Sequence, residues 1–151
     1  MPHQYYMAEA LREAQKAALL GDVPVGAVLV CGEQIIARAH NEKEAKQDPT
    51  EHAEMMVIRV ACQKRGDWRL ADCTLYVTLE PCPMCAGAIL NARIPRVFYG
   101  ARDEAMGACG GVFNLFMEDF PNPPALVGGI LSEECGQVLA DFFAELRAGR
   151  R

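Results

Sequence analysis

Two short motifs constrain this chain more than any other feature of its sequence. The first, His52-Ala53-Glu54, offers an imidazole and a carboxylate, and the second, Pro81-Cys82-Pro83-Met84-Cys85, offers two thiols. A neutral imidazole and two thiolates form a ligand set typical of Zn²⁺, and three protein ligands leave the fourth tetrahedral position open to water. Glu54 would then stand beside that water as a general acid and base. The sequence therefore predicts a fold that brings the two motifs together.

The residues around each motif predict the start of a helix. Residues 75–79 have the β-branched, aromatic and apolar side chains of a buried strand, and Pro83 suits the first turn of a helix that follows this strand. Asp48-Pro49-Thr50 precedes a second helix, with the threonine in its cap region. Because residues two apart do not share a helix face, His52 and Glu54 can converge only on a position beyond the helix end.

The order of apolar and polar segments predicts an α/β fold. Amphipathic helices open and close the sequence, the motif helices lie between them, and a short helix is expected at residues 112–116. A strand–helix–strand connection implies parallel pairing, whereas the first two strands form an antiparallel hairpin. We therefore expect a single three-layer α/β/α domain over residues 1–151, with a mixed, roughly five-stranded sheet. Strands are predicted at residues 25–30, 34–39, 75–79, 96–100 and 127–131.

The cysteine distribution and the hydropathy pattern predict a cytoplasmic protein. The seven cysteines are odd in number and scattered through apolar segments, which is typical of a reduced protein rather than of a disulfide scaffold. No apolar run reaches the ~18 residues of a membrane span, and the N-terminus lacks the basic and apolar segments of a signal peptide. Four of the cysteines are expected to be small core residues, namely Cys31, Cys62, Cys73 and Cys135.

The Cys-x-x-Cys motif alone leaves two other interpretations open. A structural zinc site would need a fourth protein ligand, and Cys109, flanked by glycines in a flexible segment, is the candidate. A thioredoxin-like redox dithiol would also follow a strand, but it gives His52 and Glu54 no role.

Charge and loop position identify further candidates for substrate binding. The net charge of −5 counts against a nucleic-acid partner, but a local basic patch remains compatible with it. Asn41 follows a strand and leads toward the first motif, where its amide could read a base edge or simply cap a turn. Phe142 and Phe143 are core residues by default and could line a pocket for a flanking base.

These motifs and several longer segments resemble the cytidine/deoxycytidylate deaminase superfamily. Gly100-Ala101-Arg102-Asp103 and Asp141-Phe142-Phe143 favour its tRNA-specific adenosine deaminase branch over the cytidine and guanine deaminases. Other similar segments include residues 23–28, 48–50, 52–54, 74–82, 84–89, 107–108 and 129–131.

The resemblance implies a homodimer with one Zn²⁺ per subunit that deaminates adenosine to inosine at the wobble position of a tRNA anticodon arm. It implies His52, Cys82 and Cys85 as metal ligands and Glu54 as the proton shuttle. The substrate contacts that it implies are Asn41, Ala53, Asp103, Phe142 and Phe143. The alternatives are a guanine deaminase of purine salvage with the same zinc site and a non-catalytic, zinc-stabilised module.

Two segments differ from the family pattern. Asn122-Pro123-Pro124 stands where many relatives have Asn-His, so a substrate contact made there would be lost or remade. Glu51 stands where a small alanine is common, and we expect its side chain to face solvent and add negative charge near the site.

Overall fold

The computed structural model describes residues 2–149. Its strands are β1 (Gly26–Cys31), β2 (Gln34–His40), β3 (Cys73–Leu79), β4 (Arg96–Ala101) and β5 (Ala125–Val127). Its α-helices are α1 (Pro2–Leu19), α2 (Lys43–Lys46), α3 (Ala53–Arg65), α4 (Pro83–Ala92) and α5 (Ser132–Arg147). A 3₁₀ turn is formed by Leu115–Met117.

The five strands form one sheet in the order β2-β1-β3-β4-β5. β1 pairs antiparallel with both β2 and β3, whereas β3, β4 and β5 run parallel. Gly32, at φ +64°, closes the tight turn from β1 to β2, and α4 makes the crossover from β3 to β4. The predicted change from antiparallel to parallel pairing is confirmed.

Helices cover both faces of the sheet, which confirms the three-layer α/β/α architecture. α1 and α5 pack on one face, and α3 and α4 pack on the other. Alternation along β3 explains this, because Leu75 and Val77 enter the core beneath α3 and α4 while Tyr76 enters the core beneath α1. Full burial of each such side chain stabilises the fold by about 1.5–3 kcal/mol. No helix within residues 2–149 is long and apolar enough to span a membrane.

The last third of the chain departs from the prediction in two places. The fifth strand covers Ala125–Val127, not residues 127–131, because the backbone loses its strand geometry at two glycines, although Gly129 and Ile130 still donate to carbonyls of β4. Gly128 packs against the ring of Tyr99, where a Cβ atom would collide, and Gly129 has φ +89°. The helix expected at residues 112–116 is only the 3₁₀ turn, capped by the Asn114 side chain, which accepts a hydrogen bond from the Phe116 N–H.

The cysteine prediction is wrong for one pair. Cys31 and Cys73 lie opposite each other across the antiparallel β1–β3 pair, with Cα atoms 4.5 Å apart, and their sulfurs form a disulfide. Cys62 and Cys135 are free thiols, as expected, and Cys135 is fully buried. Strand register decides this pairing, and register is not visible in the cysteine spacing alone.

Candidate metal centre and active-site pocket

The two motifs meet where α3 and α4 begin, at the carboxyl end of β3. His52 is the residue that caps α3 and Cys82 is the residue that caps α4, with Cys85 in the first turn of the latter helix. The positive ends of two helix dipoles therefore point at the cluster and favour the thiolate form of the cysteines. α3 begins at Ala53, later than predicted, so His52 rather than Thr50 occupies the cap position.

The separations between the donor atoms fit a tetrahedral Zn²⁺ ion. His52 Nδ1 lies 3.6 Å from Cys82 Sγ and 3.5 Å from Cys85 Sγ. Zinc bonds of about 2.3 Å to sulfur and about 2.0–2.1 Å to nitrogen, at the tetrahedral angle, put these atoms about 3.6 Å apart. The predicted ligands thus converge through the Nδ1 side of the imidazole, and their chemistry and spacing suit zinc.

Among the described residues, no fourth ligand completes this cluster. The donor atoms close enough together to share a metal ion at this site belong to His52, Cys82 and Cys85. Cys109, the candidate fourth ligand of a structural site, is buried, and its backbone N–H donates to Glu80. Its absence from the cluster favours a centre with one coordination position left open.

The titratable groups in and beside the cluster have pKa values shifted in different directions. A hydrogen bond from Cys85 lowers the pKa of Cys82 to about 4, and the same bond raises the pKa of Cys85 above its ordinary value. The hydrogen bond with Cys82 raises the pKa of His52. Burial raises the pKa of Glu54 to about 7, so its carboxyl group can both bind and release a proton near neutral pH.

A cavity of about 670 Å³ opens above the cluster. Its walls come from the segment after β2, the start of α3, the end of β3, the loop after β4 and one face of α5. This volume lies within the range of about 300–1,000 Å³ that is typical of small-molecule sites. Lining side chains include Asn41, Lys43, Glu54, Asp103, Met106 and Phe143.

Asn41 is oriented by the helix that carries the first motif. Its Oδ1 accepts the Ala53 N–H at 2.9 Å, which fixes the amide plane and leaves the NH₂ group as the donor toward the cavity. Ala53 itself is fully buried and reaches the site through this backbone bond rather than through its side chain.

Of the other predicted substrate contacts, Phe143 and Asp103 line the cavity, whereas Phe142 is buried in the protein core. Phe143 lines the cavity and is 38% exposed, whereas Phe142 is 3% exposed and packs edge-on against its neighbour's ring, at 5.4 Å between centroids. Asp103 lines the cavity, but its Oδ1 accepts the N–H groups of Ala105 and Met106 and so also shapes its own loop.

Glu51 does not face solvent, so that expectation is wrong. It stands two positions before the first residue of α3, and its carboxylate pairs with Arg59 of that helix and, at 3.1 Å, with Lys46 at the end of α2. Its side chain is 8% exposed. The two cations offset the negative charge that the sequence placed beside His52.

Several residues of the cavity wall were not singled out from the sequence, among them Lys43, Glu80 and Met106. A signal for Glu80 exists, because a carboxylate directly after a buried strand and before a helix start has to find buried partners. The sequence offers no comparable signal for Lys43, the first residue of α2, or for Met106, an apolar residue in the loop after β4.

Comparison with known proteins places the chain among deaminases. Residues 1–147 match the family model described as MafB19-like deaminase. A tRNA-specific adenosine deaminase of Bacillus subtilis (strain 168) is 51% identical over 98% of this chain and 92% of its own length. A solved structure from a study of A-to-I editing by tRNA:A34 deaminases at the wobble position superposes with a TM-score of 0.85. It is 43% identical and covers 89% of this chain and 99% of its own.

A guanine deaminase from Bacillus subtilis is also similar, with a TM-score of 0.65 and 40% identity. This match covers 78% of the present chain and 74% of the guanine deaminase. The zinc-type cluster is therefore set in a fold shared by enzymes with different purine substrates.

Proposed function

The chain belongs to the MafB19-like deaminases and, within them, to the tRNA-specific adenosine deaminases, and we propose on this basis that it hydrolyses the wobble adenosine of a tRNA anticodon to inosine and ammonia. The observation that carries this proposal is the three-ligand cluster with Glu54, a carboxylate outside the cluster, at the base of an open cavity. This arrangement suits hydrolysis at a base carbon and supports an enzyme over a zinc-stabilised structural module.

We propose that His52, Cys82 and Cys85 hold one Zn²⁺ ion in each subunit. When bound, zinc supplies the Lewis acidity that lowers the pKa of water toward about 7. The fit rests on the donor types and on nitrogen–sulfur separations of 3.5 and 3.6 Å.

Glu54 carries the proton transfers. Its carboxylate accepts a proton from the attacking water and delivers it to the ring nitrogen N1 as oxygen adds to C6 of adenine. Glu54 then takes the proton of the hydroxyl added to C6 and delivers it to the exocyclic nitrogen, so that ammonia leaves and the C6 carbonyl of inosine remains. A carboxyl group with a pKa near neutrality suits both steps, because it gains and loses a proton at little cost.

The cavity wall supplies the substrate contacts. We expect the Asn41 amide, which lines the cavity, to donate to the adenine ring, and Asp103 and Phe143, which also line it, to contact neighbouring nucleotides. Lys43 adds a positive charge for phosphate. An anticodon base is already unpaired, so bringing it into the cavity costs less than flipping it from a duplex.

Inosine formation tests this proposal directly. The purified protein is incubated with an arginine tRNA that has adenosine at the wobble position, with free adenosine and free guanine in parallel. Inosine in the tRNA alone is the expected result. Guanine consumption with unchanged tRNA would instead assign the protein to purine salvage, the second candidate that the guanine deaminase similarity favours.

We further propose a homodimer that acts in the cytoplasm. Support for a partner surface comes from apolar side chains that stay exposed around the 3₁₀ turn: Val112, Phe113, Met117 and Phe120. Sedimentation of the zinc-loaded protein measures the assembly, and a monomer at micromolar concentration would contradict the dimer.

A further inference from the structure

Glu80 is a buried carboxylate whose partners are backbone N–H groups. It follows β3, is 2% exposed and forms no ion pair within residues 2–149. Its Oε1 accepts the N–H of Asp103 at 3.1 Å, and its Oε2 accepts those of Cys109 at 2.9 Å and Gly111 at 2.8 Å. These charge-assisted hydrogen bonds compensate the carboxylate for the loss of water.

The three donors belong to one loop, residues 102–111, which follows β4. This loop contributes Asp103 and Met106 to the cavity wall. Two backbone bonds, each 2.8 Å long, join this region to the residues just before Cys82: the Glu80 N–H donates to the carbonyl of Ala101, the last residue of β4, and the Ala108 N–H, within the loop, donates to the Pro81 carbonyl. Glu80 therefore links the segment that carries Cys82 to the loop that forms the opposite wall.

The glycines of this loop make room for the carboxylate. A Cβ atom at Gly107 would collide with the Glu80 carboxylate and with the Asp103 carbonyl. A Cβ atom at Gly111 would collide with the same carbonyl. The loop is thus closed around Glu80 so tightly that a single methyl group would displace it.

We propose that Glu80 is a positioning residue for substrate recognition: by gathering three N–H groups, it holds the 102–111 loop where Asp103 and Met106 meet the nucleotides beside the reacting adenosine. This inference rests on the proposed tRNA function. Glu80 acts through the loop and not on the reacting atoms, so it affects substrate affinity more than the chemical step.

Replacement by glutamine removes this function with little change in shape. The carboxylate accepts bonds on both oxygens, whereas a glutamine amide presents one oxygen and one NH₂ group. Whichever way the glutamine amide is oriented, its NH₂ group points at one or more of the backbone N–H groups that the carboxylate had bound. At least one hydrogen bond is then lost, and two donors face each other. The loop should then loosen while the strand and helix on either side keep their packing.

The test compares Glu80→Gln with the unsubstituted enzyme on an anticodon stem–loop RNA. We expect kcat/KM to fall mainly through KM, by roughly ten- to a hundredfold, the effect of one lost hydrogen bond to a charged group. Hydrogen exchange should accelerate in residues 103–111 and stay unchanged in α3, with zinc content intact. Glu33→Gln, at an exposed position in the β1–β2 turn, is the matched control and should change none of these values.

A second variant shows whether the effect operates through the loop. Gly107→Ala should raise KM in the same way, and combining it with Glu80→Gln should add little, because both changes displace one element. Additive effects, an unchanged KM, or unchanged exchange in residues 103–111 would overturn the inference. An unsubstituted enzyme that forms no inosine in tRNA would instead overturn the proposed function, and the exchange measurement would still report on the loop.

Discussion

At the scale of single residues, polar side chains that lie close together in the site differ in what they contact and therefore in their proposed function. His52 faces the thiols through Nδ1, Glu54 stands beside them without joining the cluster, and Asn41 is held by a backbone N–H. Each of these roles predicts a different consequence of substitution.

Glu54→Ala should lower turnover by about 10²–10⁴-fold and leave metal binding intact. The carboxylate is the proton carrier of the proposed reaction, and general acid–base catalysis is typically worth about 10²–10⁴-fold. Zinc content measured by atomic absorption, together with inosine formation per zinc, checks this. The matched variant His52→Ala should lose zinc itself, and a fully active Glu54→Ala protein would rule out the shuttle.

Asn41 combines two roles that two variants separate. Asn41→Asp keeps the oxygen that accepts the Ala53 N–H, whereas it replaces the NH₂ donor that faces the cavity. We expect near-normal thermal stability with strongly reduced activity. Asn41→Ala should lower both thermal stability and activity. The buried Ala53 N–H would then lack its hydrogen-bond partner, which lowers the free energy of unfolding by about 1–3 kcal/mol. Equal activity of the aspartate variant and the unsubstituted protein would remove Asn41 from substrate binding.

At the scale of secondary-structure elements, the site depends on how β1, β3 and the two motif helices are joined. The Cys31–Cys73 disulfide ties β1 to β3 and closes a segment with a sequence separation of 42. That segment contains Asn41, His52 and Glu54, whereas Cys82 and Cys85 follow it. The cross-link therefore constrains one half of the site relative to the strand that leads into the other half.

This disulfide should be detectable and stabilising. Thiol titration of the denatured, unreduced protein should find five thiols, that is, the seven cysteines less the bonded two. The Cys31→Ser/Cys73→Ser variant should unfold at a lower temperature, because a loop of this length contributes up to about 4 kcal/mol through chain entropy. Cys62→Ser, at a free thiol, is the control. Seven thiols and an unshifted midpoint would show that the pair is reduced in solution.

At the scale of the whole molecule, an acidic protein has to bind an anionic substrate. The net charge is −5, so attraction to RNA has to come from individual cations near the cavity. Lys43 lines the cavity and forms no ion pair within residues 2–149. It is therefore available for a phosphate.

RNA affinity should fall as salt rises, and Lys43 should account for part of the slope. Each phosphate contact to a single strand contributes about 0.7 to the slope of log K against log salt concentration. Lys43→Gln should reduce the slope by roughly this amount. Lys16→Gln, at a residue already paired with Glu13 on α1, should leave it unchanged. A salt-independent affinity would point to a free base or nucleoside as the substrate.

The sequence by itself determined the chemistry of the site and the order of the elements. Ligand identity depends on residue type, so His52, Cys82, Cys85 and Glu54 could be proposed from two motifs alone. Apolar periodicity is likewise a local property, and it predicted the central strands and the pairing directions of the sheet that the structure confirms.

Only the tertiary structure decided which distant residues meet. Strand register places Cys31 opposite Cys73. Glu51, which lies just before α3, forms an ion pair with Arg59 of that helix. Helix packing placed Phe143 at the cavity and Phe142 in the core, and the 102–111 loop closed on Glu80. These contacts join residues far apart in the chain, so their geometry depends on the packing of whole elements and not on local residue preference.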